Sequence, residues 1–345
     1  MTSPPAVDPA VPDSLSEDII EKSDALQFRD LNQPDLHLRY WCRRGYSEKP
    51  NPNVLIWVHG IGEHAGRYKE LATEVLTRVP SLDGIASYDQ RGHGKSQGAR
   101  GAAPSVTALV DDFVEHASRR MALEFGMDPR IIIGGHSLGA LVVAGAAEKA
   151  DWLQAEECGK IVGVLLSGPA IYPCVVGAVN KALAPMSSVL CMIPGVKRLT
   201  KGSGVDPKKL SHDEIEVQKY LDDDLVHDQI GVGLATDSLN YGRNLIQRLK
   251  ETSNSAHILT SGTPLLVIHG ELDEVCSVDG SRALVEACGG NSAELVVVPG
   301  AFHEIHNERK ENGKEDMLNS CAQFLNKVFA GKQEMSGSTG VTEGT

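Results

Sequence analysis

The sequence predicts an α/β domain built on a mostly parallel central sheet of about eight strands, flanked by helices. Three observations carry this reading. Short runs of Val, Ile and Leu recur without alternation, which marks strands buried on both faces. Stretches at helical spacing separate these runs, the pattern that produces parallel crossovers. The runs also end on His, Asp, Ser and Gly, and in such sheets chemistry collects at the carboxyl ends of strands.

The elements follow in order. Two early strands are read at 25–29 and 36–39. The run VLIWV (54–58) ends at His59-Gly60, and 63–79 has helical spacing. IASY (85–88) ends at Asp89 and precedes an amphipathic helix over 106–125. RIIIG (130–134) leads through Gly135 to an Ala-rich helix over 137–150. IVGVLL (161–166), PLLVI (264–268) and LVVV (295–298) supply the remaining strands, and a last helix covers 315–329. Asp279 falls in a helix after the PLLVI strand. Between 168 and 263 no sheet strand is evident, and about 95 residues are too many for a plain loop. This segment is read as a helical cap over 169–262, inserted into a core formed by 19–168 and 263–331. Residues 1–18 and 332–345 are read as disordered tails from their Pro-rich and Gly/Ser-rich compositions.

Composition narrows the function. The 345 residues include 46 acidic and 33 basic ones, a net charge of −13. Such a chain is poorly suited to nucleic acid, whose affinity rests on phosphate contacts, and is repelled on average by anionic bilayers. The seven cysteines are scattered, with no CxxC pair and no metal-ligand spacing. A reducing, cytoplasmic location with no disulfide framework, no zinc and no cofactor is expected. The N-terminus lacks the basic and apolar regions of a secretory signal. The apolar stretch 161–179 approaches a membrane span in length, but Ser167, Pro169 and Pro173 interrupt it.

The pattern G-x-S-x-G, which marks a serine on a sharp strand-to-helix elbow, occurs twice. Ser137, in Gly135-His136-Ser137-Leu138-Gly139, follows a strong strand and opens an apolar helix. Ser96, in Gly94-Lys95-Ser96-Gln97-Gly98, leads into a polar loop. Context selects Ser137 as nucleophile. A serine hydroxyl needs a histidine to take its proton and an acid to orient that histidine. On this sheet the chain order is Ser, acid, His. Asp273 follows the PLLVI strand and His303 the LVVV strand, both by short turns. Glu271, Glu274 and Asp279 compete less well for the acid, and His306 for the base. The tetrahedral intermediate needs two N–H donors. Leu138 supplies one, and Ile61, between the glycines of His59-Gly60-Ile61-Gly62, supplies the other.

Taken together, HGIGEHAGRY (59–68), YDQRGHGKSQGARG (88–101), GGHSLGA (134–140), HGELDEVC (269–276) and PGAFHEIHNE (299–308) resemble the monoglyceride lipase and lysophospholipase group of α/β-hydrolases. The likeness spans about residues 50 to 330, and its specificity lies in the joint occurrence and order of these segments. It implies the α/β-hydrolase fold, with Ser137, Asp273 and His303 as triad and Ile61 and Leu138 as oxyanion donors. It further implies that Glu63, Arg67 and His306 surround the polar head of the substrate. Glu216 and Tyr220, in LSHDEIEVQKY, resemble a cap segment near the alcohol exit. Cys276 lies where the family can carry a cysteine near the site. Asp89 and Arg91 are read as braces of the neighbouring loop.

The leading expectation is therefore a cofactor-independent serine hydrolase acting on monoacylglycerol, a small lipid ester. The apolar stretch 175–193 would wall an acyl tunnel and touch a membrane or lipid droplet. A lysophospholipase or broader carboxylesterase needs the same machinery with another head-group pocket. The scarcity of aromatics, 5% of residues, argues against a choline cage. A non-catalytic binding protein on this fold would ordinarily lack a triad member, and none is missing.

Overall fold

The computed structural model describes residues 18–27, 34–126, 128–149, 159–174, 199–251, 257–289 and 292–331. Eight strands form one sheet: β1 (Ile19–Leu26), β2 (Leu36–Arg43), β3 (Asn53–Val58), β4 (Gly84–Tyr88), β5 (Arg130–His136), β6 (Lys160–Ser167), β7 (Leu265–Gly270) and β8 (Ala293–Val298). Their order is β1-β2-β4-β3-β5-β6-β7-β8. β1 pairs antiparallel with β2, and β2 with β4; every other pairing is parallel.

The continuous apolar runs feed two cores at once. Val54, Ile56, Val58, Ile131 and Ile133 face a layer made by helices α2 (Val106–Asp111), α3 (Ser118–Glu124) and α4 (Leu138–Glu148). Leu55, Trp57, Ile132, Leu266 and Ile268 face the opposite layer, helices α1 (Lys69–Arg78) and α8 (Lys314–Ala330). This two-sided burial is why VLIWV and the III of RIIIG carry no polar residue.

The edges of several elements differ from the sequence reading. The first strand runs Ile19–Leu26 rather than 25–29, because its alternation IIEKSDAL is broken by an exposed Ser23-Asp24-Ala25. The helix expected over 63–79 starts at Lys69, after a 3-10 turn over Ala65–Tyr68. The helix expected over 106–125 passes through a π-helical turn, Asp112–Ala117, between α2 and α3.

Between β6 and β7 the chain leaves the sheet. Here lie a two-residue ladder, Thr200–Lys201 with Ile230–Gly231, and helices α5 (Glu214–Asp222) and α6 (Val232–Glu251). Asp213 caps α5 by accepting from Ile215 N. α7 (Val278–Cys288) follows β7 and contains Asp279. The 175–193 stretch and both tails but for Asp18 lie outside the described residues. Among the described residues, no helix is long and apolar enough to cross a membrane.

Candidate active site

The carboxyl ends of β3, β5, β6, β7 and β8 converge on one edge of the sheet, because these strands are parallel and adjacent. Ser137 sits at the end of β5 as the residue before α4. Its backbone has φ 54 and ψ −119, and it is the one non-glycine residue with positive φ among those described. Tight crossing of strand and helix imposes this. A Cβ on Gly135 would stand 2.7 Å from the Gly139 carbonyl carbon, and one on Gly139 only 2.2 Å from Val58 O. The two motif glycines let the backbone close, and the serine absorbs the left-handed turn.

Asp273 follows β7 and His303 follows β8, and the structure joins them. His303 Nδ1 lies 2.7 Å from Asp273 Oδ2, with the His303 ring nearly fully buried. The other carboxylate oxygen, Oδ1, accepts from Val275 N at 2.8 Å and Cys276 N at 2.9 Å. His269 approaches Asp273 Oδ2 at 3.1 Å and is itself held by Ser281 Oγ. Burial by itself would raise the Asp273 pKa; the imidazoles of His303 and His269 reverse this and hold it well below the usual carboxylate range. Burial likewise opposes charge on His303, yet the Asp273 carboxylate lifts its pKa above the ordinary histidine value. The His303 ring packs 4.6 Å from that of His136, the residue before Ser137. A Cβ on Gly168, at the end of β6, would stand 3.3 Å from His303 Nδ1 and 3.5 Å from Asp273 Oδ2.

The turn after β3 approaches the elbow: a Cβ on Gly60 would lie 3.2 Å from Ser137 Cβ. Leu138 is the first residue of α4, so its N–H has no intrahelical acceptor. Ile61 lies in the turn, and Gly62 beside it has φ 76. A side chain at Gly62 would strike His227 O at 2.4 Å. Glu63 pins this turn from beneath. Its Oε1 accepts from Gly60 N and Tyr68 Oη, each at 2.6 Å, and its Oε2 accepts from Arg67 at 2.7 Å.

Arg67 is committed twice. Beyond Glu63, it forms a bidentate pair with Glu304 at 2.8 and 2.7 Å. Burial disfavours the charges, but each supports the other: the Arg67 pKa is raised well above its usual value and that of Glu304 is well lowered. Arg67→Ala leaves two buried carboxylates without their cation. It should cost about 3–5 kcal/mol of stability, read as a lower urea midpoint.

His306 is buried, stacked on Tyr68 at 5.0 Å and edge-on to His136 at 5.1 Å. Burial lowers its pKa to about 4, so the ring is neutral at physiological pH. Tyr220 lies under the Arg67 guanidinium, 4.8 Å from ring centre to Cζ. Glu216, on the same helix, pairs at 2.7 Å with the exposed Lys219. The structure thus gathers Glu63, Arg67, His306 and Tyr220 behind the Gly60–Gly62 turn, whereas Glu216 is turned to Lys219. Cys276 is buried within hydrogen-bonding reach of the Ser137 side chain; burial and the nearby Asp273 push its pKa up, so it remains a thiol.

Ser96 is a loop residue: its Oγ accepts from His37 N at 2.8 Å. Asp89 braces the loops as expected, accepting from Ala65 N and Lys95 N, each at 2.8 Å, and Arg91 pairs with Asp112. Sequence reasoning missed Glu304, Glu308, Tyr68 and His269 as site residues. The first two flank His306 in PGAFHEIHNE, and charged residues in a turn ordinarily read as solvated. Among the described residues no three His, Cys, Asp or Glu side chains are grouped to hold a metal ion.

Residues 49–310 match the family model described as serine aminopeptidase, S33. A monoacylglycerol lipase of Mycolicibacterium smegmatis is 31% identical over 262 residues, covering 75% of this chain and 83% of the relative. The monoglyceride lipase of Homo sapiens is 29% identical over 278 residues, 80% of this chain and 82% of the relative. Among solved structures, a monoacylglycerol lipase of Paleococcus ferrophilus superposes with a TM-score of 0.64 at 28% identity, covering 81% of this chain and 96% of that one.

Proposed function

Because the chain belongs to the serine aminopeptidase S33 family and is an ester hydrolase of its monoglyceride-lipase-like α/β-hydrolases, we propose that it cleaves monoacylglycerols to fatty acid and glycerol. The observation that carries the reading is Ser137 on a strained elbow, with an Asp273–His303 pair packed against the preceding residue.

Ser137 Oγ attacks the ester carbonyl and passes its proton to His303 Nε2. Asp273 holds the Nδ1–H and stabilises the resulting imidazolium. The N–H groups of Ile61 and Leu138 take the oxyanion. Glycerol departs with the proton from His303. A water then gives its proton to the same nitrogen and attacks the acyl-enzyme, releasing the fatty acid and restoring Ser137. The 169–262 segment, as a cap, would shelter the acyl chain, and its 175–193 stretch would meet the lipid surface by apolar contact. Conversion needs no cofactor.

The committed charge of Arg67 favours a neutral head group. A lysophospholipid phosphate needs a free cation, and this one is already shared by two carboxylates. Glu63 and His306, buried in the same cluster, are read as shaping the floor of the glycerol pocket, with Tyr220 at its rim. Glu216, half-buried on the same helix, is read as meeting the departing alcohol.

Fatty-acid release from monooleoylglycerol and from lysophosphatidylcholine, measured side by side, tests this. A kcat/KM at least a hundredfold higher on monooleoylglycerol is expected, since an unpaired buried phosphate costs several kcal/mol. Equal or inverted ratios would move the substrate to lysophospholipids.

A further inference from the structure

The two residues flanking His303 do not spend their backbone donors on the sheet. Glu304 N donates to Leu210 O at 2.8 Å, and Phe302 N donates to Glu308 Oε1 at 2.8 Å. Leu210 belongs to the turn that precedes α5. Glu308 has no exposed side-chain surface. The same Oε1 lies 2.8 Å from His212 Nδ1, while Oε2 accepts from His212 N at 2.9 Å and Ser211 Oγ at 3.2 Å. Ser211 Oγ also lies 2.7 Å from Asn307 O, and the His212 ring stacks on Phe302 at 3.7 Å.

One carboxylate therefore ties the loop that carries the general base to residues 211–212, at the start of α5. The far end of α5 is tied to the oxyanion side: His64 Nε2 lies 2.8 Å from Asp223 Oδ2, and His227 N donates to Gly62 O at 2.8 Å. The helix over the site is latched at one end to the base and at the other to the oxyanion turn.

We propose that Glu308 is a positioning residue: it makes the orientation of His303 depend on docking of the 210–213 turn, so that the base is aligned when α5 is closed over the site. This rests on His303 acting as the base, as read above. An acidic partner is required here because one group must accept from several donors arriving from two segments, and a carboxylate has lone pairs for all of them. Moving the turn strips Glu308 of its cap-side donors and takes Leu210 O away from Glu304 N, so Glu308, which holds Phe302 N on the other side of His303, is left without its anchor. Misplacing a catalytic group by about 1 Å can cost a hundredfold in rate.

The test compares wild type, Glu308→Gln, His212→Ala and His212→Asn on monooleoylglycerol, with folded fraction set by circular dichroism. Glu308→Gln should lower kcat about tenfold or more with KM within about twofold. His212→Ala should lower kcat less, and His212→Asn, which restores a side-chain donor, should recover most of it. The double variant Glu308→Gln/His212→Ala should be no slower than Glu308→Gln alone, as expected of groups acting through one contact. A Glu308→Gln enzyme of wild-type kcat, whatever its stability, would overturn the proposal. Should that variant fail to fold, equal kcat values for His212→Ala and wild type would overturn it instead. If wild type leaves monooleoylglycerol intact yet hydrolyses p-nitrophenyl butyrate, the substrate reading fails and the same comparisons on that ester decide the role of Glu308. Hydrolysis of neither would overturn both.

Discussion

Ser137→Ala should reduce monooleoylglycerol turnover on the order of a million-fold, the scale seen when a serine nucleophile is removed from a complete triad. Loss of the hydroxyl removes the covalent route altogether, so KM should change little. The partner variant Ser137→Gly gives a second readout. Ser137 holds φ 54, a region that costs a side-chain-bearing residue about 1–3 kcal/mol and glycine almost nothing. Glycine also gives back about 0.5–1 kcal/mol through its looser unfolded chain. Ser137→Gly should therefore be as inactive as Ser137→Ala, yet unfold at an equal or higher urea concentration. An active-site residue whose removal stabilises the fold is the mark of strain kept for function. Retained turnover in either variant would show that the nucleophile lies elsewhere.

Asp273→Asn should lower kcat about ten-thousand-fold, because the amide cannot fix the Nδ1–H tautomer or balance the imidazolium. It should also move the pH profile in a determined direction. In the wild type the Asp273 carboxylate raises the His303 pKa above about 6.5, so kcat should rise with pH through a midpoint above that value. Without the carboxylate, burial is left as the dominant influence, and the midpoint should fall below about 6.5. The stability signs differ between the two groups. His303, with a raised folded pKa, contributes stability that is complete below about 6.5 and is lost as pH rises through the folded value. Asp273, with a depressed folded pKa, contributes stability that is complete above about 4 and is lost as pH falls towards the folded value. Wild type should therefore lose more stability on acidification below about pH 4 than Asp273→Asn does. An unmoved kcat midpoint in the variant would mean that Asp273 does not face the base.

The parts of the molecule that were legible in sequence share a physical cause. VLIWV, RIIIG and PLLVI are buried on both faces, so burial leaves no choice but a continuous apolar run, and each was found within a residue or two of its true end. The pairing of Asp273 with His303 was legible because chain order and strand ends constrain it jointly. β1 was misplaced because an antiparallel edge strand with solvent on one side tolerates Ser, Asp and Lys, and its periodicity is weak. The Arg67–Glu304 pair spans 237 residues of sequence, so no local signal could show that the arginine is already paired. Glu308 was overlooked for the same reason: its burial depends on a turn 96 residues upstream.

The sheet closes over the 169–262 segment in a way that bears on how this chain can diversify. Ser167 and Ile268 are neighbours in the β6–β7 register, yet about a hundred residues separate them along the backbone. The entropy lost in bringing such distant positions together grows only with the logarithm of the intervening length, about 0.6 kcal/mol for each doubling. Insertions or deletions between these strands thus weigh little on the core, which sees only the two anchor points. The same hydrolytic edge could carry doors of different length and lining, with substrate range evolving almost independently of fold stability.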